Sequence, residues 1–200
     1  MQRDRGGDYW GNSGGDLHDM IHIIGTSHRT QYWNNKLRQG KSGTEACAVT
    51  VGRFEGYLRD TATSLNAAII AEELSKQCVD RFNGGSPASV AKVVAEELGL
   101  RHAYCNPNDE ECIAWGVGER PEDREPIWIA RIQPFSPNET SIIFVCGAEH
   151  SVSFQSLLER NSLHARIHCQ DWTKTPAAQL SEDEINEWRR QALGDLFKRD

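Results

Sequence analysis

Ser141-Ile142-Ile143-Phe144-Val145-Cys146-Gly147-Ala148-Glu149-His150 is an unbroken apolar run, stopped by a glycine and followed by an imidazole three positions on. A run this short, apolar on both alternating faces, reads as a strand buried from both sides, as in a parallel sheet. The chain repeats the pattern near its start, where Met20-Ile21-His22-Ile23-Ile24 runs into Gly25-Thr26-Ser27-His28. Glycine lets the backbone turn sharply after a strand. An imidazole just beyond it is a way to place a metal ligand or proton carrier at the sheet's edge. Two such turns suggest two histidines aimed at one crevice.

Working outward, Ala67 to Ala71 reads as another short buried strand, running straight into Glu72-Glu73. Arg101 to Cys105 and Ala165 to Cys169 complete a set of about five. Between them lie helical stretches. Thr44 to Asn66 repeats apolar residues every three or four positions, at Val51, Phe54, Leu58, Ala62 and Leu65. Ser86-Pro87 opens a second helix, with serine as N-cap and proline at its first position, and Gly99 closes it. Asp123 to Gln133 and Ser151 to Asn161 supply two more, while Asn108 to Arg120 reads as acidic and irregular.

Strands alternating with helices predict an α/β fold with a mainly parallel central sheet and helices on both faces. Residues 20–172 form this domain. Residues 1–19 read as a flexible polar leader. Residues 173–200 carry an amphipathic helix packed on the core, opened by the capping pattern Ser181-Glu182-Asp183-Glu184.

Bulk properties narrow the function. A formal charge of −7 argues against nucleic acid or an anionic membrane as partner. No apolar run is long enough to span a bilayer, and the first residues lack a secretory core, so the expected location is cytoplasmic. The six cysteines form no CxxC pair, and Cys105, Cys146 and Cys169 sit within apolar runs, so they read as small hydrophobes. His102, Cys105 and Cys112 lack a fourth zinc ligand at matching spacing. No glycine-rich phosphate loop and no Gly-x-Ser-x-Gly nucleophile elbow occurs, and Gly116-Val117-Gly118 follows no convincing strand.

In a parallel sheet, ligands bind beyond the carboxyl ends of the strands. His28, Glu72 and His150 each fall just past a strand core, so three strands deliver ligand-capable groups to one edge. Two imidazoles and a carboxylate suit manganese, zinc or iron and leave positions open for water. Only one of Glu72 and Glu73 points into the site, because successive strand side chains face opposite ways. Glu72 is favoured as the first after the strand, and Glu73 then reads as a solvated residue. Glu149 reads as a support for a histidine or as exposed. Gln31, Tyr32 and Trp33 follow His28 closely enough to line a pocket mouth, with packing against the sheet the favoured role for Trp33, and His22, His102, His164 and His168 read as structural.

Gly25-Thr26-Ser27-His28, the acidic position at Ile69-Ile70-Ala71-Glu72, Arg124 within Asp123-Arg124-Glu125-Pro126-Ile127-Trp128, and Gly147-Ala148-Glu149-His150 resemble, in order, the Tiki/TraB superfamily. That superfamily also includes erythromycin esterase and ChaN relatives. The resemblance spans roughly residues 20 to 172. It implies an α/β core with a divalent metal, and hydrolysis of a peptide, ester or amide bond in some members. On that reading His28, Glu72 and His150 are the metal ligands and catalytic centre. Arg124 stabilises an oxyanion or binds a substrate carboxylate or phosphate. Other members bind haem, so a non-catalytic haem or small-ligand binding protein is the alternative, as is a regulatory protein with a decayed site.

Overall fold

The structure, a computed structural model, describes residues 20–32, 45–82, 88–135, 141–179, 181–184 and 186. Five strands, β1 (Ile21–Thr26), β2 (Ile69–Glu72), β3 (Arg101–Tyr104), β4 (Ile142–Gly147) and β5 (Ala165–Cys169), form one all-parallel sheet in the order β3-β2-β4-β1-β5. The helices are α1 (His28–Gln31), α2 (Glu45–Ser64), α3 (Lys76–Phe82), α4 (Val90–Leu98), α5 (Asp109–Trp115), α6 (Pro121–Ile132) and α7 (Ser151–Arg160). The parallel sheet with helices on both faces is the architecture that the alternating pattern implies.

The two faces divide the core. Ile24, Ile70, Ile143 and Val145 point toward α2 and α4 and pack on Phe54, Leu58, Val94 and Trp172. Ile23, Ala71, Phe144 and Cys146 point the other way, onto Trp128 and Ile132 of α6 and Phe154 and Leu158 of α7. Both faces of β1 and β4 are therefore dry, which is why β4 carries an unbroken apolar run and β1 an isoleucine run interrupted by buried His22. Phe144 and Phe154 lie 4.5 Å apart by ring centroid, and Trp128 lies 5.3 Å from Phe154. Such aromatic pairs add about 0.5–1.5 kcal/mol each beyond their burial.

α1 and α3 have no counterpart in the sequence reading, and two further helices differ from it. α4 starts at Val90 with Ser89 as N-cap, its hydroxyl accepting from Lys92 N, rather than at Ser86-Pro87. Gly99 does close it, in the left-handed conformation at φ 68°. The stretch read as irregular contains α5, opened by a capping box between Asn108 and Glu111 and closed by Gly116 at φ 64°. That helix has no buried residue, so it lacks the apolar periodicity by which helices are recognised.

The leader at 1–19, Trp33, the Gln39–Gly43 stretch, Ser86-Pro87 and most of the tail helix lie outside the described residues. The start of the tail is described. Ser181 and Glu184 exchange capping hydrogen bonds, and Glu184 pairs with Arg53 of α2. Among the described residues, no helix is long and apolar enough to cross a membrane.

Candidate functional site

Adjacent strands β1 and β4 leave the sheet in opposite directions. After β1 the chain enters α1, which packs against α2 and α4; after β4 it enters α7 on the other face. Their carboxyl ends diverge, and this is where a parallel sheet opens a crevice. Thr26 pairs with Gly147 in the ladder, so the two Gly-x-x-His turns start one residue apart in register.

Glu73 of β2's extension joins them. Its Oε1 accepts from His28 Nε2 at 2.6 Å, from the Gly147 amide at 2.6 Å and from Gln31 Nε2 at 3.3 Å. Its Oε2 is buried without a hydrogen-bond partner and lies 3.9 Å from His150 Nε2. That separation exceeds a hydrogen bond. His150 Nδ1 donates to Glu125 Oε1 at 3.2 Å, and Ser153 Oγ donates to the same oxygen at 2.6 Å. Because a carboxylate only accepts, Glu125 fixes the proton on Nδ1 and turns Nε2 toward Glu73. Trp128 meets the His150 ring edge-on at 5.1 Å and holds its orientation.

Electrostatics follow from this geometry. The hydrogen bond that His28 donates to Glu73 raises the His28 pKa above its ordinary 6.5, against the opposing effects of burial and of Arg124. For His150, burial favours the neutral ring, but it is outweighed by the Glu125 hydrogen bond and the charges of Glu73, Glu149 and Glu125, so its pKa also rises.

Of the four residues singled out from the sequence, the structure brings His28 and His150 together around one carboxylate, and that carboxylate is Glu73. Arg124, whose Nε donates to Gly118 O at 3.0 Å, lies close enough for its charge to be felt at His28. Glu72 points to the opposite face. It is fully buried, accepting from His102 Nε2 at 2.7 Å and from the Ser89 hydroxyl. The cause is strand alternation: Glu72 shares the face of Ile70, and Glu73 shares that of Ala71, where α6 and α7 pack. Glu73 is correspondingly buried rather than solvated.

Glu125 was not singled out from the sequence. The signal was present, since Glu125, Trp128, Ile129 and Ile132 form one buried helical stripe and a carboxylate on such a stripe requires a partner. His102, read as structural, does serve a buried carboxylate, from its register position beside Ile70.

The donor set suits a divalent ion chemically, with two imidazole nitrogens and a buried carboxylate oxygen that lacks a partner. The side chains are nonetheless spaced as a hydrogen-bonded cluster. Among the described residues, no three His, Cys, Asp or Glu side chains are already gathered around a common point. Comparison with known proteins adds no constraint: no family model, curated protein or solved structure matches the chain.

Proposed function

We propose that the protein is a hydrolase of a peptide, ester or amide bond, working in the crevice between the ends of β1 and β4. The observation that supports this reading is the Glu73 carboxylate. It is buried, held on one oxygen by both Gly-x-x-His turns, and faces His150 with the other oxygen unpartnered. A buried charged atom without a partner is costly, so such an oxygen calls for a cation or a proton donor.

His28, Glu73 and His150 would hold a divalent ion such as manganese, zinc or iron, which when bound supplies Lewis acidity toward a water and a substrate carbonyl. The chain's own groups complete the site. The Gly147 amide and Gln31 hold Glu73 in place. Glu125 and Trp128 fix His150 with Nε2 toward Glu73. Arg124 places a permanent positive charge near half-exposed His28, suited to a developing oxyanion or a substrate carboxylate. This reading keeps the paired histidines and the arginine of the Tiki/TraB resemblance and moves the acidic position to Glu73.

The test is metal content by elemental mass spectrometry on untagged protein, beside an ester and peptide hydrolysis screen. Wild type is expected to carry near-stoichiometric metal, and His28→Ala, His150→Ala and Glu73→Gln to lose metal and turnover while staying folded. A metal-free wild type, inert after incubation with manganese, zinc and iron, would overturn the proposal.

A further inference from the structure

Behind His150, on the side away from Glu73, the first turns of α6 and the exposed side of α7 enclose a groove of about 270 Å³. Pro121, Pro126 and Leu157 form apolar walls, and Glu125 sits at the floor with its side chain only 4% exposed. The two Glu125 oxygens differ. Oε1 accepts from both His150 and Ser153, whereas no hydrogen bond from a described residue reaches Oε2. Oε2 is not among the sealed, unpartnered atoms, and Glu125 lines the groove. A largely desolvated carboxylate oxygen at the end of an apolar slot selects for a positive hydrogen-bond donor. Glu122 at the rim is already ion-paired with Arg120 and Arg160 also lines the groove, so the selection rests on Glu125 itself.

We propose that this groove binds a primary ammonium group on an unbranched aliphatic stem, the ammonium on Glu125 Oε2 and the stem between Pro126 and Leu157. The volume lies just under the range of about 300–1,000 Å³ typical of small-molecule pockets, so it takes a single side chain or a short alkylamine rather than a cofactor. The site does not depend on the hydrolase reading, since it requires neither metal nor turnover.

The probe is n-pentylammonium, titrated into the full chain and followed by amide chemical shifts. Saturable shifts at Ile127, Ser153 and Leu157 are expected, with n-pentanol binding about tenfold or more weaker because it lacks the charge. Glu125→Gln is expected to weaken binding to a similar degree. Ser156→Trp, which fills the groove from an exposed position, is expected to abolish binding without touching the core. An Nα-acetyl-lysine amide arm separates the sources: tighter binding than pentylammonium assigns the site to a lysine side chain of a peptide, weaker binding to a free amine. Equal shifts with pentanol and pentylammonium, or binding that survives Ser156→Trp, would overturn the proposal.

Discussion

The amide of Gly147 donates to Glu73 Oε1 at 2.6 Å, and the same oxygen receives His28 Nε2 at 2.6 Å. The first residue of one Gly-x-x-His turn and the last residue of the other thus grip a single carboxylate from a third strand. The two adjacent glutamates should therefore fail in different ways. Glu72→Ala strands His102 and Ser89 in the interior and is expected to cost about 3 kcal/mol in urea unfolding, as when a buried pair loses one partner. Glu73→Gln keeps the shape and costs less, but removes the charge that raises His28, so the His28 NMR titration midpoint drops toward 6.5. An unmoved midpoint would remove Glu73 as the cause.

The two motif glycines are not equivalent. A Cβ on Gly25 would sit 2.0 Å from Gln170 O and 2.3 Å from Ser151 Oγ, one of them a backbone atom that cannot yield. Gly25→Ala is expected to destabilise by about 2–3 kcal/mol, in the overpacking range. At Gly147 the nearest atoms the added group would meet belong to the Glu149 carboxylate, an exposed side chain that can swing away. Gly147→Ala is expected to cost under about 1 kcal/mol. Comparable losses in the two variants, measured by thermal and urea unfolding, would contradict this assignment.

Two histidine groups respond to pH with opposite signs. His28 and His150 have raised folded-state pKa values, so their contribution is complete below about 6.5 and is lost as pH rises through the raised values. His22 is lowered by burial and by neighbouring His168 and Arg166, and His168 by burial and Arg166. Their contribution is complete above about 6.5 and is lost as pH falls through the lowered values. His22→Gln should flatten the acid limb of a stability–pH curve, and Glu73→Gln the limb above 6.5. Identical curves for wild type and both variants would count against the scheme.

Thiol chemistry should follow burial. Burial pushes the Cys105 thiol up to about 12 and the Cys146 thiol well above its ordinary value, so neither forms thiolate near neutrality. Native alkylation at pH 8, read by peptide mass spectrometry, is expected to label half-buried Cys78 and Cys112 well before these two. Early labelling of Cys146 would show that β4 is open to solvent.

Much of this architecture is legible in the sequence because its cause is local. The apolar run of β4 and the isoleucines of β1 follow from burial on both faces, and the α4 end follows from Gly99. Where the cause is not local, reading stops. Which of Glu72 and Glu73 faces the crevice depends on which helices cover which side of β2, and that is fixed by strand order. α5 is held by an Asn108–Glu111 capping box, an exposed ion pair from Arg81 and a partly buried one from Arg131, none of which leaves an apolar period. Glu125 sits one residue from Arg124 on the chain but on the buried side of α6, with partners that arrive from the turn after β4 and from α7.

The strand order also sets a timetable. β1 has β4 on one side and β5 on the other, so the first strand made has no partner until roughly 120 more residues have been added. At typical synthesis rates that is on the order of ten seconds with both edges of an isoleucine-rich strand unpaired. β2 and β3 can pair meanwhile, since they are near neighbours in sequence, but the sheet cannot close around them. Pairings this distant also make refolding slow compared with a helical protein of equal size. The crevice residues His28 and His150 therefore meet only as folding finishes, and a chain halted before β4 carries Gly25-Thr26-Ser27-His28 with nothing to face.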